Sequence, residues 1–238
     1  MRINIHDNYQ QVIERIATVA INAGRKPDDI HLVVVTKTQP IDVMQAVIDA
    51  GATNLGENYV EEAIPKIDRI TKTEYLKWHM VGHVQSRKAL AVCKYFQYLH
   101  SLDSLKLAER LSINAVEMNK IIPVMLEVNV GGEDSKSGWD ISNDENWFSI
   151  FPDIDKIIVL PGLNLLGVMT IPPYFTDPEA SRPYYRRLRK FKDFISKHYK
   201  ISGFNDLSMG MSSDYEVAIQ EGSTWVRIGQ AILGPRSR

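Results

Sequence analysis

Lys37 ends the string LVVVTK, which places an amine at the edge of an apolar element. Removal from water favours the neutral, nucleophilic amine over the ammonium. Lysines of that kind form Schiff bases with carbonyl compounds, pyridoxal phosphate included. Position alone gives equal weight to an ordinary surface lysine just past a strand. Two further segments bear on an anion. In MGMSSDYEVA, Gly210, Ser212 and Ser213 precede an expected helix, where backbone N–H groups and hydroxyls can hold a phosphate. In RIGQAILG, Gly229 and Gln230 offer the same from a second side. A serine N-cap would account for Ser212 or Ser213 equally well. Lys37 facing two such segments has the outline of a pyridoxal phosphate site.

Arg227 lies two residues before Gly229, so both share one face of a strand. A guanidinium stays protonated. Set against a pyridine nitrogen, it would keep that nitrogen unprotonated and the ring a weaker electron sink. A buried pair with a carboxylate such as Glu57 is the alternative. In WHMVGHVQSRK, His83 or Gln85 is expected to line a mouth, with His79 turned inward and satisfied. No third ligand follows at a metal-binding spacing, and Cys93 has no CxxC partner, so a metal site is not expected. The pair Arg87–Lys88 and the group Arg182, Arg186, Arg187, Arg189 and Lys190 read as solvated helix faces.

A frame for these residues is written into the hydrophobic pattern. IHLVVVTK is apolar on both faces, as a strand of a buried parallel sheet must be. Further strands are expected at 53–58, 77–82, 97–103, 122–130, 163–171, 205–210 and 224–229. Helices are expected at 5–23, within IDVMQAVIDAGA up to Gly51, and at 59–71, 86–93, 104–118, roughly 142–151, 178–198 and 214–221. Strand–helix alternation implies a parallel sheet, and eight strands favour closure into a single (β/α)₈ barrel over 1–238. The helix within 1–24 is expected to pack on that barrel, over its bottom. Functional residues of such barrels sit at the C-terminal strand ends. Lys37, Glu57, Asn58, His83, Asp103, Asn129, Met169, Thr170, Ser212, Ser213 and Gly229 all fall there.

Composition narrows the class. The 238 residues carry 28 basic and 29 acidic side chains, which leaves no basic footprint for nucleic acid or an anionic membrane. A single cysteine excludes an internal disulfide framework and favours a reducing, cytoplasmic setting. No apolar run approaches the roughly 18 residues of a membrane span, and no signal-peptide core opens the chain.

The strings VVVTKTQP, NLGENYVEEA, WHMVGHVQSRK, SKSGW, GVMTI, MGMSSDYEVAI and RIGQAILG together resemble the pyridoxal phosphate homeostasis protein family. Its members look like the N-terminal barrel of bacterial alanine racemase without the C-terminal β-domain. The resemblance implies a fold-type III barrel in which Lys37 carries pyridoxal phosphate as a Schiff base. It further implies that Ser212, Ser213, Gly229 and Gln230 hold the phosphate, that Arg227 faces the pyridine nitrogen, and that Asn58, His83 and Met169 lie near the ring. Lys136, in SKSGW, is implied as a second basic group at the rim. Gln85-Ser86-Arg87-Lys88 departs from the family's common Gln-x-Asn-Lys.

Three functions follow as expectations. The first is a monomeric protein that holds pyridoxal phosphate, buffers the free aldehyde and passes it to apo-enzymes, with a link to amino and keto acid balance. The second is a pyridoxal phosphate enzyme with weak amino-acid racemase activity. Two-base racemisation needs a residue on each face of the cofactor, and Lys37 serves one; the tyrosine that alanine racemase draws from its β-domain is not expected here. The third is a Schiff-base aldolase that uses Lys37 without a cofactor.

Overall fold

A computed structural model of the chain describes residues 4–70 and 74–234. Eight parallel strands close into a barrel: β1 (His31–Val35), β2 (Asn54–Glu57), β3 (Lys77–Met80), β4 (Tyr98–Leu102), β5 (Ile122–Asn129), β7 (Leu163–Met169), β8 (Asp206–Ser208) and β9 (Trp225–Ile228). The ring shuts where β1 pairs with β9 and β4 pairs with β5. A two-residue strand, β6 (Trp139–Asp140), hangs on β5 outside it.

The helices between strands are α2 (Ile41–Asp49), α3 (Val60–Arg69), α4 (Ala89–Tyr95), α5 (Leu105–Glu117), α6 (Phe151–Ile157), α7 (Arg182–His198) and α8 (Tyr215–Gln220), with α1 (Ile5–Asn22) preceding the barrel and α9 (Gln230–Leu233) following its last strand. Local sequence accounts for several of these. Ser104 caps α5 by accepting the Leu107 N–H, and Leu107, Ala108, Leu111 and Ala115 then face the sheet. Along α7, Tyr185, Leu188, Phe191 and Ile195 make one buried stripe. Each such large side chain contributes about 1.5–3 kcal/mol by leaving water.

Three expectations need correction. The helix expected at 142–151 is a 3-10 segment, Asp144–Ile150, with the α-helix proper only from Phe151. Pro152 is the reason: it has no N–H to give to a preceding turn, yet suits the first turn of a new helix. The first helix, α1, lies on the flank of the barrel against α2, α8 and α9, where the four-residue α9 leaves the outer ring thin. It is tied there by Asn8 to the Ile232 carbonyl and by Arg25 to the carbonyls of Ile219 and Ser223. Finally, the basic face of α7 is not simply solvated. Arg182, Arg186 and Arg189 converge on Glu221, only 5% exposed, and Arg187 donates to the Val130 carbonyl. The helix expected at 59–71 runs over Val60–Arg69, and Thr71 lies outside the described residues.

Apolar packing divides into a shell between sheet and helices and an inner plug of Val33, Val81, Met125, Met169 and Trp225 within the barrel. The barrel is therefore filled, and a ligand's place is above the plug. Among the described residues no helix is long and apolar enough to cross a membrane.

Candidate functional site

A cleft of about 580 Å³ opens above that plug, at the C-terminal ends of the strands. Its lining includes Lys37 after β1, Asn58 after β2, Ser212 and Ser213 after β8, Arg227 within β9, and Gly229 and Gln230 beyond it. Strand closure brings together residues nearly two hundred positions apart in sequence. Two expected residues lie elsewhere. Met169 is fully buried in the plug, packed with Val81, which itself lines the cleft. His83 is exposed and lines a neighbouring depression that shares Asn58 with the cleft; its Nδ1 is 2.6 Å from the Asp103 carboxylate. Lys136 reaches the rim, donating to the carbonyl of Ile171, a cleft residue, and pairing with Glu133, each at 2.9 Å.

The segment that carries Lys37 is clamped on both sides. Thr36 donates its hydroxyl to Glu57 Oε1 at 2.7 Å, and Thr38 donates its N–H to Glu62 Oε1 at 2.6 Å. Lys66, on α3, ties the two carboxylates together and also donates to the Thr36 carbonyl. Glu57 thus turns outward to α3 rather than to Arg227, which corrects the alternative pairing. Burial raises the Glu57 carboxyl above its ordinary value, against the pull of Lys66. Thr38 has φ of 62°, a left-handed conformation that costs a β-branched residue on the order of 1–3 kcal/mol. Its bond to Glu62 helps to offset that cost.

The opposite wall is rich in donors. Asp214, not a serine, precedes α8, and its carboxylate accepts the Met211 N–H at 2.7 Å and the Ser181 hydroxyl at 3.1 Å. Ser212 is thereby released from capping. Its Oγ receives the N–H groups of Gly229 and Ala231, both at 3.3 Å, so two amides from the β9–α9 turn converge on one oxygen. A Cβ on Gly229 would stand 2.9 Å from the Val35 carbonyl oxygen, so glycine permits this close approach of β9 to β1. Gly210 has φ of 95°, and a Cβ there would meet that of Ala218 at 2.6 Å.

Arg227 is 4% exposed. It donates to Ser208 Oγ at 2.5 Å and to the Thr170 carbonyl at 2.8 Å, and among the described residues it enters no ion pair. Burial lowers its affinity for the proton, with Tyr185, Glu127 and Asp214 opposing. Glu127 is a group the motifs did not reveal. Burial, joined by repulsion from Asp103, pushes its carboxyl up to about 7 despite Arg227, His83 and Lys136. Its only signal in the sequence is a lone charge within IPVMLEVNV, two positions from the inward-facing Met125. Tyr174 and Gln39 also line the cleft without having been expected.

The charged and hydroxyl groups of the lining are donors: an amine, a guanidinium and two serine hydroxyls, one of which, Ser212, is itself held by two backbone amides. Val35, Val81, Ile171 and Met211 supply apolar walls. That set fits a flat ring bearing an acceptor nitrogen, an aldehyde and a phosphate.

Comparison with known proteins agrees. The family described as alanine racemase, N-terminal domain, matches residues 7–237. A pyridoxal phosphate homeostasis protein of Aquifex aeolicus is 37% identical over 234 residues, spanning 98% of this chain and 99% of that protein. Among solved structures, PipY of Synechococcus elongatus with PLP bound superposes with a TM-score of 0.80 at 30% identity, covering 92% of this chain and all of that one. An alanine racemase of Clostridium difficile superposes at 0.66 with 17% identity, over 95% of this chain and 56% of its own, a likeness of fold alone.

Proposed function

We propose, from the premise that this chain belongs to the pyridoxal phosphate homeostasis proteins within the alanine racemase N-terminal domain family, that it binds pyridoxal phosphate covalently on Lys37 and keeps the cellular supply of that cofactor in balance. The observation that carries the reading is the cleft itself. It sets Lys37, Arg227 and the Ser212 oxygen with its converging amides around one space. When bound, the cofactor supplies an aldehyde that condenses with amines and a ring that withdraws electrons.

Each residue has a task in this reading. Lys37 presents the amine, held at a fixed place by the Thr36 and Thr38 clamp. Ser212, Ser213 and the backbone of Gly229 and Gln230 take the phosphate. Arg227 gives an N–H to the ring nitrogen and, remaining charged, keeps a proton from it. Asn58 borders the ring, Met169 supports its floor from the plug, and His83 stands at the side of the mouth. The protein acts in the cytoplasm as a monomer, handing the cofactor to apo-enzymes.

Titration of the purified protein with pyridoxal phosphate, followed by absorbance, tests this. The wild-type chain is expected to develop a saturable visible band. Lys37→Ala is expected to keep its circular dichroism and develop none, because the barrel's upper face contributes little to its packed core. A Lys37→Ala chain with an unchanged band would overturn the assignment.

A further inference from the structure

The inside of the barrel carries a line of polar side chains that the binding of pyridoxal phosphate leaves unexplained. Asn54 Oδ1 lies 3.0 Å from His79 Nε2, and His79 Nδ1 lies 2.9 Å from His100 Nε2. His100 Nδ1 is then 2.8 Å from Ser208 Oγ, which accepts from Arg227 at 2.5 Å. The row climbs from the foot of β2 to the cleft and crosses a core where polar groups are costly unless paired. Both histidines are fully buried, and so is Ser208.

Hydrogen-bond chemistry gives the row a single direction. The Asn54 amide nitrogen donates to Thr53, which leaves its oxygen toward His79. A carboxamide oxygen only accepts, so His79 Nε2 carries a proton. Burial depresses His79 to about 3 and His100 well below its ordinary value, so each ring is neutral with one N–H. His79 Nδ1 must therefore accept, His100 Nε2 must donate, and His100 Nδ1 must accept. The Ser208 hydroxyl gives its one proton to His100, which leaves its oxygen to receive Arg227. No proton passes along such a row, because neither a carboxamide nor a guanidinium releases one. Rings confine it from the sides: Tyr98 stacks on His79 at 4.5 Å, and Trp225 stands edge-on to His100 at 5.6 Å.

We propose that this polarised row is a positioning device for Arg227, in which His79 and His100 act through Ser208 to fix the guanidinium with its remaining N–H groups turned toward the cleft. The second anchor, the Thr170 carbonyl, holds the other guanidinium nitrogen, so the planar fork has one orientation. Four barrel strands thus contribute to the placing of one cofactor-facing group. The effect on the cofactor rests on the proposed role of Arg227 at the ring nitrogen, whereas the polarity of the row does not.

The test has two arms. In ¹⁵N-histidine spectra of the wild-type protein at pH 7, His79 and His100 are expected as neutral Nε2–H tautomers; an Nδ1–H form or an imidazolium at either would overturn the row. In the second arm, Ser208→Ala, His100→Phe and Arg227→Lys are titrated with pyridoxal phosphate and with inorganic phosphate. A hydrogen bond to a charged group is worth enough that Ser208→Ala and His100→Phe should each weaken pyridoxal phosphate binding about tenfold. Each should also move the absorption maximum in the same sense as Arg227→Lys, with inorganic phosphate affinity unchanged. A shifted spectrum in Arg227→Lys, but wild-type behaviour in folded Ser208→Ala and His100→Phe, would refute the positioning role. If Arg227→Lys itself leaves the spectrum unmoved, the ring-nitrogen role of Arg227 fails instead, and the tautomers alone decide the row. Should His100→Phe lose its circular dichroism, Ser208→Ala, the smaller change, carries the second arm.

Discussion

Replacing Lys66 with methionine keeps much of the stem but removes the charge that joins Glu57 to Glu62. Lys66 is 11% exposed along its side chain and Glu57 not at all, so the pair is screened little by solvent. After the change Glu57 keeps the Thr36 hydroxyl, while its Oε2 already has no partner. Breaking a buried pair by removing one partner costs about 3–5 kcal/mol, because the remaining charge is left uncompensated. At about 2–4 °C per kcal/mol for a chain of this size, the expected fall in Tm is on the order of 10 °C. The pH dependence has a definite sign. Glu57 already titrates above its ordinary value in the folded state, chiefly through burial, and loss of Lys66 raises it further. Stability from its protonated form is present at low pH and lost as pH rises through the folded pKa, so the deficit of Lys66→Met must shrink from pH 7 to pH 5. Thermal unfolding by circular dichroism at both pH values measures this. The double variant Glu57→Gln with Lys66→Met should recover most of the loss. A deficit under about 1 kcal/mol at pH 7, the size of an exposed ion pair, would refute the reasoning. The same clamp borders Lys37, so covalent uptake of pyridoxal phosphate should slow in the single variant.

Two other outcomes are expected. Glu127→Gln should flatten the stability profile near neutrality. The wild-type carboxyl titrates at about 7 in the fold, so stability present in acid is lost as pH rises through that value, about 2–3 kcal/mol between pH 5 and 8; a wild-type pH profile as flat as that of the variant in urea unfolding would exclude it. Gly229→Ala forces a Cβ to within 2.9 Å of a backbone oxygen, which should cost about 1–3 kcal/mol in stability and weaken inorganic phosphate binding measurably by calorimetry. Unchanged values in both would mean that the β9–α9 turn adapts freely.

Much of this fold is legible in order along the chain. Runs such as IHLVVVTK have no helical period and are buried on both faces, and their alternation with amphipathic helices leaves few topologies. The cleft-lining serines and glycines are legible for a similar reason: Ser212, Ser213 and Gly229 fall just past strand ends, and the structure excludes the serine N-cap by putting Asp214 at the start of α8. What escapes a linear reading depends on distance across the fold. Lys66 reads as one charge on a polar helix until barrel closure sets α3 against the end of β1. His79 and His100 stand on adjacent strands, and only the register reveals that they meet each other and Ser208. His83 shows the converse: it falls at a strand end, yet Asp103 draws it outside the cleft. Trp139 and Trp147 sit in a polar stretch, so the two-residue strand and the 3-10 segment there rest on tertiary contacts, such as the pairing of β6 with β5 and the edge-on packing of Trp147 against Phe191 of α7.

A Schiff base between Lys37 and pyridoxal phosphate at the barrel mouth would be trapped as a stable amine on reduction. Borohydride reduction of the cofactor-loaded protein, followed by peptide mass mapping, tests it most directly. A pyridoxyl-phosphate mass on the peptide containing Lys37, with loss of the visible band, is the predicted result. A label on another lysine, or none after incubation with excess cofactor, would contradict it.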